Sequence, residues 1–515
     1  INHQITKAKF HFRQKMTYLC IYIIHQMKKI AFFISFILLM VVSFSAQAKR
    51  LQAYMSYSTF YSPADGPYIE TYMIVVGNSL KYVKNQNDKY QGTIEITMIF
   101  RQDSLIKDFK KYNLLSPETE DTNTINFHFI DQQRFLLPNG SYEVEIIIAD
   151  KNDNAPPFKS YETIVIGFPA DKITVSGIEL IDSYKKTDSV TILTKNGFEL
   201  MPYIIYYYPE KVDRLAFYAE IYNTGKVLGE NEKFLLTSYI EVNENNNLYG
   251  EFKKIKKETA RDVVVVLSEF DLALLPTGNY NLVIEVRDKQ NNLQAIQKLY
   301  FERDNKKVAF ENKIYEDAVT EHTFVEMYTN KDTLAAYIRC LYPISSESER
   351  MYAKNQINHN DLKSMQKFFL TFWETRNAEN PGKAWAEYLL EVQKVNHDFS
   401  TKIRKGYETD RGRVYLQYGP PNSISKSYYE PSAYPYEIWH YYTLKNQKNK
   451  KFVFYNPDLV TNDFSLIHSD ATGEISDYRW EQKIYGRNNP TNNIDNSGVR
   501  DHWGRKSEEY FKNPY

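Results

Sequence analysis

From Leu51 onward, apolar and polar positions follow two successive regimes. Short stretches of β-branched and aromatic residues, such as Ile69 to Val76, Gly92 to Phe100 and Tyr142 to Ile148, are separated by turn-rich segments as far as about Gly167. That spacing predicts an all-β sandwich over residues 49–170. The same character returns from Ile173 to about Arg303, predicting a second sandwich over 171–305. Leu137-Pro138-Asn139-Gly140-Ser141-Tyr142 matches Leu275-Pro276-Thr277-Gly278-Asn279-Tyr280 at an offset of 138, so the two units read as tandem copies. In that element Pro and Gly shape the corner into a strand, and Tyr142 and Tyr280 are expected to return their hydroxyls to the backbone as tyrosine corners.

The period then lengthens. A helix is predicted over Lys331 to Cys340, and a helical region over roughly 345–405. Leu362, Met365, Phe369 and Phe372 recur at three- and four-residue spacing, with Phe368 and Trp373 widening the stripe. Asn380-Pro381-Gly382 interrupts it, and Trp385, Tyr388, Leu389, Val392 and Phe399 form the stripe of a second helix packed on the first. Gly406 stands where a left-handed glycine would end that helix, with Tyr407 folding back as its apolar contact. Asp410-Arg411-Gly412 reads as a turn and Val414 to Tyr418 as a strand, stopped by Gly419-Pro420-Pro421. Further strands are predicted at Tyr436 to Tyr442, Phe452 to Tyr455 and Phe464 to His468. On the first of these, Ile438 and Trp439 lie on opposite faces, and both are expected to be buried in a covered sheet. The predicted architecture is therefore multidomain: two tandem all-β immunoglobulin-like sandwiches, then an α+β domain over 306–480 with helices first and a small antiparallel sheet second. Residues 481–515 read as a polar tail, mobile or pinned to a partner, with Asn488 to Asn493 as a linker-like run.

Gly406-Tyr407-Glu408-Thr409-Asp410, Arg411-Gly412-Arg413-Val414-Tyr415 and Tyr418-Gly419-Pro420-Pro421 together resemble the signature of the GWxTD-domain family, preceded by an FW-containing helix, with Tyr407 standing where the family name has Trp. Tyr436-Glu437-Ile438-Trp439 resembles the strand that follows, and Phe217 to Asn223 a recurring segment of the middle region. The resemblance spans roughly residues 170 to 480. It implies an exported protein of Gram-negative bacteria, mainly Bacteroidota, and carries no known activity.

Charge and export change the picture little. Lys+Arg and Asp+Glu are both 64, and residues 49–515 carry a net charge of −6 because the first 48 hold six basic residues and no acidic ones. A mildly acidic chain without a long basic run is a poor nucleic-acid binder, since that affinity rests on neutralising phosphates. Met27 to Ala48 has the form of a cleaved secretory signal peptide: Lys28 and Lys29, an apolar run from Ile30 to Phe44, then Ala46-Gln47-Ala48. Residues 1–26, which open on Ile, read as upstream sequence outside the native chain. No transmembrane segment is expected after residue 51, so the mature protein is expected to be periplasmic or associated with the outer membrane. Cys20 and Cys340 are the two cysteines, and Cys20 precedes the cleavage site, which leaves no disulfide framework or thiolate metal site.

No catalytic motif, metal site or cofactor site is predicted. His128, His322, His359, His397, His440, His468 and His502 are scattered, and neither an HExxH nor a G-x-S-x-G element occurs. Asp150-Lys151-Asn152-Asp153-Asn154 offers oxygen ligands of the kind calcium takes, but its place at a hairpin tip favours a turn built by Asp and Asn. Asp410 with His440 or His468 is the one acid–base pairing that can be drawn. The structural alternative has Asp410 capping, Thr409 bonding locally, and Arg411 and Arg413 paired with carboxylates. The expected function is a non-enzymatic cell-envelope protein that makes protein–protein contacts with envelope or outer-membrane partners. Gly406, Tyr407, Thr409, Asp410, Arg411, Gly412, Gly419, Pro420 and Pro421 form its structural junction. The loop from Asn422 to Pro435, with Tyr428, Tyr429, Tyr434, Tyr436 and Trp439, is the candidate contact surface. The alternatives are an envelope hydrolase with a site in the third domain, and a glycan binder marked by coplanar exposed aromatics.

Overall fold

The computed structural model describes residues 51–308, 313–445, 447–477, 479–488 and 506–512. The predicted signal peptide lies outside them. Alternating apolar residues build seven principal strands in the first domain: β1 (Ala53–Ser62), β2 (Gly66–Val76), β3 (Thr93–Gln102), β4 (Leu105–Leu115), β5 (His128–Leu136), β6 (Gly140–Asp150) and β7 (Phe158–Ile166). They form one sheet in the order β1-β2-β5 and another in the order β4-β3-β6-β7. In β3, Ile94, Ile96, Met98 and Phe100 are buried while the residues between them are half-exposed, the two-residue period of a sheet with one covered face.

The second domain repeats this plan with β8 (Glu179–Lys186), β9 (Arg214–Tyr222), β10 (Lys233–Val242), β11 (Leu248–Thr259), β12 (Val263–Asp271), β13 (Gly278–Arg287) and β14 (Leu293–Arg303). The orders β8-β9-β12 and β11-β10-β13-β14 reproduce the first domain strand for strand, with short strands added at the edges. The predicted corners form: the Tyr142 hydroxyl donates to Pro138 O at 2.8 Å and that of Tyr280 to Pro276 O at 3.1 Å. Asp150 closes the β6–β7 hairpin tip as a turn residue, its carboxylate accepting from Asn152 N–H at 2.9 Å and Lys81 N–H at 2.7 Å.

The third domain opens with α1 (Lys331–Cys340), α2 (Glu347–His359), α3 (Leu362–Glu374) and α4 (Pro381–Phe399). The apolar stripes of α3 and α4 meet as predicted, with Phe369 and Trp385 ring centroids 4.9 Å apart and Trp373 and Trp385 5.8 Å apart. The next element departs from expectation. Asp410–Tyr418 is a helix, α5, not a turn followed by a strand. The antiparallel sheet then runs β15 (Ser423–Ser427), β16 (Tyr436–Leu444), β17 (Gln447–Tyr455) and β18 (Ser465–Ser469) in sequence order. Both of its faces are covered. Trp439, Phe452 and Phe454 face the helices, while Ile438, Val453 and Ile467 face α6 (Trp480–Ile484) and α7 (Ser507–Lys512). The described parts of the predicted tail thus pack on the protein's own sheet through Ile484, Tyr485 and Phe511, beside Trp480.

Candidate functional site

The junction between helices and sheet is built by close backbone approach. Gly406 is not the left-handed residue ending α4; it opens a short 3-10 turn, Gly406–Glu408, laid against α4. A Cβ on Gly406 would lie 2.0 Å from Val395 O, and one on Gly412 would lie 1.9 Å from Gly406 O. Three segments therefore touch through backbone where only glycine fits. The left-handed glycine is Gly419, φ +84°, which ends α5 ahead of Pro420 and Pro421. Thr409 caps α5: its Oγ1 accepts from Gly412 N–H at 3.1 Å and donates to Gly406 O at 2.7 Å. Tyr407 is buried, and burial first, then the Glu408 charge, pushes its hydroxyl up to about 12.

The charged residues of the motif face inward. Asp410 accepts from Leu466 N–H at 2.8 Å, tying α5 to β18. Arg413 spans both oxygens of Glu474 at 2.8 and 2.7 Å, and the Tyr418 hydroxyl donates to the same carboxylate at 2.8 Å. Arg411 is only 4 % exposed. Its Nη1 donates to Glu437 on β16 at 2.9 Å, and its Nη2 donates to Asn462 O at 2.7 Å and Asn462 Oδ1 at 3.0 Å. Its guanidinium lies 4.2 Å from the centroid of Phe464 and 5.0 Å from that of Phe399. Glu437 is saturated by Arg411, by Trp439 Nε1–H at 2.8 Å and by the Tyr428 hydroxyl.

Above this network opens a cleft of about 660 Å³, lined by Tyr428, Tyr429, Pro435, Leu459, Phe464 and Arg487, with Glu430, Pro431, Asn456 and Asn462 completing its walls. The motif reaches it indirectly, through Arg411, whose partners Asn462 and Phe464 form part of the wall and whose carboxylate Glu437 anchors the Tyr428 hydroxyl. The candidate surface from Asn422 to Pro435 is a loop only in its second half, because Ser423–Ser427 is strand β15. Within it Tyr429 is 93 % exposed and Tyr428 36 %. Tyr436 and Trp439 are buried, Tyr436 donating to Glu430 at 3.0 Å. Tyr434 packs edge-on against Tyr455 away from the cleft lining. Arg487 and Asn462 went unread in the sequence, lying beyond the motif in segments with no periodicity, and Phe464 reads there only as the start of a predicted strand and not as part of a site. The wall rings do not form a flat platform: Tyr428 is tilted 76° to Tyr429 and 52° to Phe464.

The histidines are placed elsewhere. His440 Nε2 bonds Asn449 Oδ1, and burial holds its pKa below the ordinary value. The His468 ring stacks on Trp480, 13° from parallel, and its Nδ1 accepts from Asp477 N–H at 3.1 Å. Asp410 is bonded to Leu466 rather than to either ring. Cys340 is buried, its thiol pushed up to about 12 by burial. Among the described residues no group of three or more His, Cys, Asp or Glu converges as a metal site, and no helix is long and apolar enough to cross a membrane.

Residues 288–484 match the model of the GWxTD domain. No curated protein matches the chain. Among solved structures, a glycosyl hydrolase family 2 member from Bacteroides cellulosilyticus is similar over 45 % of this chain and 28 % of its own, at 10 % identity and a TM-score of 0.18. A Bacteroides uniformis β-glucuronidase 2 is similar over 45 % and 26 %, at 10 % identity and 0.18. Fibronectin(III)-like modules of Clostridium thermocellum CbhA are similar over 47 % and 89 %, at 10 % identity and 0.14. The chain spans about a quarter of the length of the two hydrolases.

Proposed function

We propose that this protein, which carries a GWxTD domain on residues 288–484, is an exported, non-enzymatic component of the cell envelope that binds a protein partner through the cleft of that domain. The carrying observation is the cleft: an exposed Tyr429, a half-exposed Tyr428 and the Arg487 guanidinium stand on a floor made rigid by Arg411, Glu437 and Trp439. A preorganised aromatic rim over a base held by the Arg411–Glu437 ion pair and the Trp439 hydrogen bond loses little conformational freedom when a partner docks. The Met27 to Ala48 pattern supports export. The tandem sandwiches serve as a stem that spaces the third domain.

The test is crosslinking in cells from a photoreactive residue placed at Tyr429, followed by mass spectrometry of the captured envelope proteins. A specific partner recovered reproducibly, and lost in Tyr428→Ala/Tyr429→Ala, is the expected result. Recovery of the protein alone overturns the reading.

A further inference from the structure

The hydrogen-bonding state of the cleft walls identifies the chemistry of what fills it. Every carboxylate or amide acceptor at the cleft has an internal donor. Glu430 takes the hydroxyls of Tyr436 at 3.0 Å, Tyr485 at 2.6 Å and Ser427 at 3.2 Å. Asn456 Oδ1 takes Asp458 N–H at 3.1 Å and Leu459 N–H at 3.3 Å. Asn462 Oδ1 takes Arg411 at 3.0 Å, and Glu437 below them is filled by Arg411, Tyr428 and Trp439.

The Tyr428 hydroxyl and Asn456 Nδ2 are taken internally, by Glu437 and Thr461 O, but three other donors are in the opposite state. Arg487 makes one bond, from Nη1 to Ala433 O at 3.3 Å, and is otherwise free among the described residues. The Asn462 amide N–H2 and the Tyr429 hydroxyl are likewise uncommitted there, and Tyr429 is almost fully exposed. The surface therefore presents unfilled donors, one of them cationic, beside Tyr, Pro, Leu and Phe side chains. Such a site complements a ligand that brings an anionic acceptor together with apolar bulk.

From this we infer that the cleft takes an extended peptide segment of the partner bearing a carboxylate, seated on Arg487 and Asn462, with a proline or aliphatic side chain between Tyr429 and Phe464. The inference rests on the partner-binding reading above. Tilted rings and two wall prolines suit an extended chain, whose side chains enter successive slots. A run of sugar rings asks for coplanar aromatic faces, and the 76° and 52° tilts between these rings do not offer them.

The test uses the mature chain in fluorescence anisotropy. The probes are two fluorescein-labelled heptapeptide libraries of alternating proline and leucine, one with Asp at the centre and one with Asn. The Asp library should bind, and the Asn library should bind on the order of tenfold more weakly, the loss expected for one charge-assisted hydrogen bond. Arg487→Gln should remove that preference while leaving the near-ultraviolet circular dichroism unchanged, and Tyr429→Ala should weaken both libraries. Equal binding of the two libraries overturns the inference, as does absence of binding, or binding of neutral oligosaccharides in their place. The crosslinking experiment reads the partner whatever its chemistry. A partner captured at Tyr429 together with no Asp preference would leave the partner reading standing and remove the carboxylate.

Discussion

Arg411 is the residue at which the motif and the cleft are coupled. Removing its guanidinium strands Glu437, which is 2 % exposed, without its one cationic partner among the described residues. Arg411→Met should cost about 3–5 kcal/mol, the usual penalty for breaking a buried pair from one side. Arg411→Lys should also lose stability, because an ammonium cannot reach Glu437 and Asn462 together. Calorimetric melting of the mature protein checks both. Gly412→Ala acts through sterics alone. The new methyl would sit 1.9 Å from a backbone oxygen that no side-chain rotation can move, so a loss near the upper end of about 1–3 kcal/mol is expected. At His468 the effect is a pH slope. Burial pulls its pKa from 6.5 to about 4, against the opposing Asp477 charge. The unfolded chain therefore takes up this proton first. Stability from this site is complete above pH 6.5 and falls as pH drops toward 4, by up to about 3 kcal/mol. His468→Phe should flatten that part of the profile, read as the urea midpoint against pH.

At the scale of elements, α5 decides how the third domain is assembled, and it is where sequence pattern and structure part. Val414-Tyr415-Leu416 has the β-branched and aromatic content of a strand, and the preceding Asp-Arg-Gly has that of a turn. Two terminal signals outweigh this composition. Thr409 caps the first turn, and Gly419 before two prolines ends the last, so the residues between are helical despite low intrinsic preference. Thr409→Ala should therefore cost about 1–2 kcal/mol and Thr409→Ser little, since serine keeps the capping oxygen. Exchange rates of the α5 amides would report both. The long amphipathic helices α3 and α4, the tandem sandwiches and the tyrosine corners were legible because each repeats a period or a motif over many residues. The close approach of Gly406 to Val395 left no such trace, because a glycine permitting contact and a glycine permitting positive φ are the same letter. The cleft was half legible. Tyr428 and Tyr429 follow the motif closely, whereas Arg487 arrives from 76 residues beyond Arg411 by way of tertiary folding.

Across the whole molecule, the two sandwiches are fastened by a buried charge cluster. A short hairpin of the second domain carries Lys195 between them. Its ammonium pairs with Glu70 of β2 and with Glu179 of β8 at 2.6 Å, donates to the Tyr72 hydroxyl at 3.0 Å and lies 4.0 Å above the Phe60 ring. The neighbouring Asn196 reaches Glu220 at 2.9 Å, which also takes the Tyr222 hydroxyl at 2.6 Å, while Tyr222 accepts from Tyr61 N–H of the first domain at 3.0 Å. The third domain touches both sandwiches, through Asn449 to Thr163 at 2.8 Å and Lys445 to Asn243 O at 3.2 Å. Lys195→Met leaves Glu179 without a cation among the described residues and Glu70 with Arg134 alone in a buried interface, so about 3–5 kcal/mol should be lost. That loss should appear in both sandwiches together. Hydrogen exchange on the mature protein distinguishes the cases: β2 and β9 should lose protection by the same amount in Lys195→Met. Adding Glu70→Gln and Glu179→Gln should restore part of it, since the under-paired charges then disappear. If β9 alone loosens, the cluster stabilises the second domain without coupling it to the first, and the stem is hinged between its sandwiches rather than rigid.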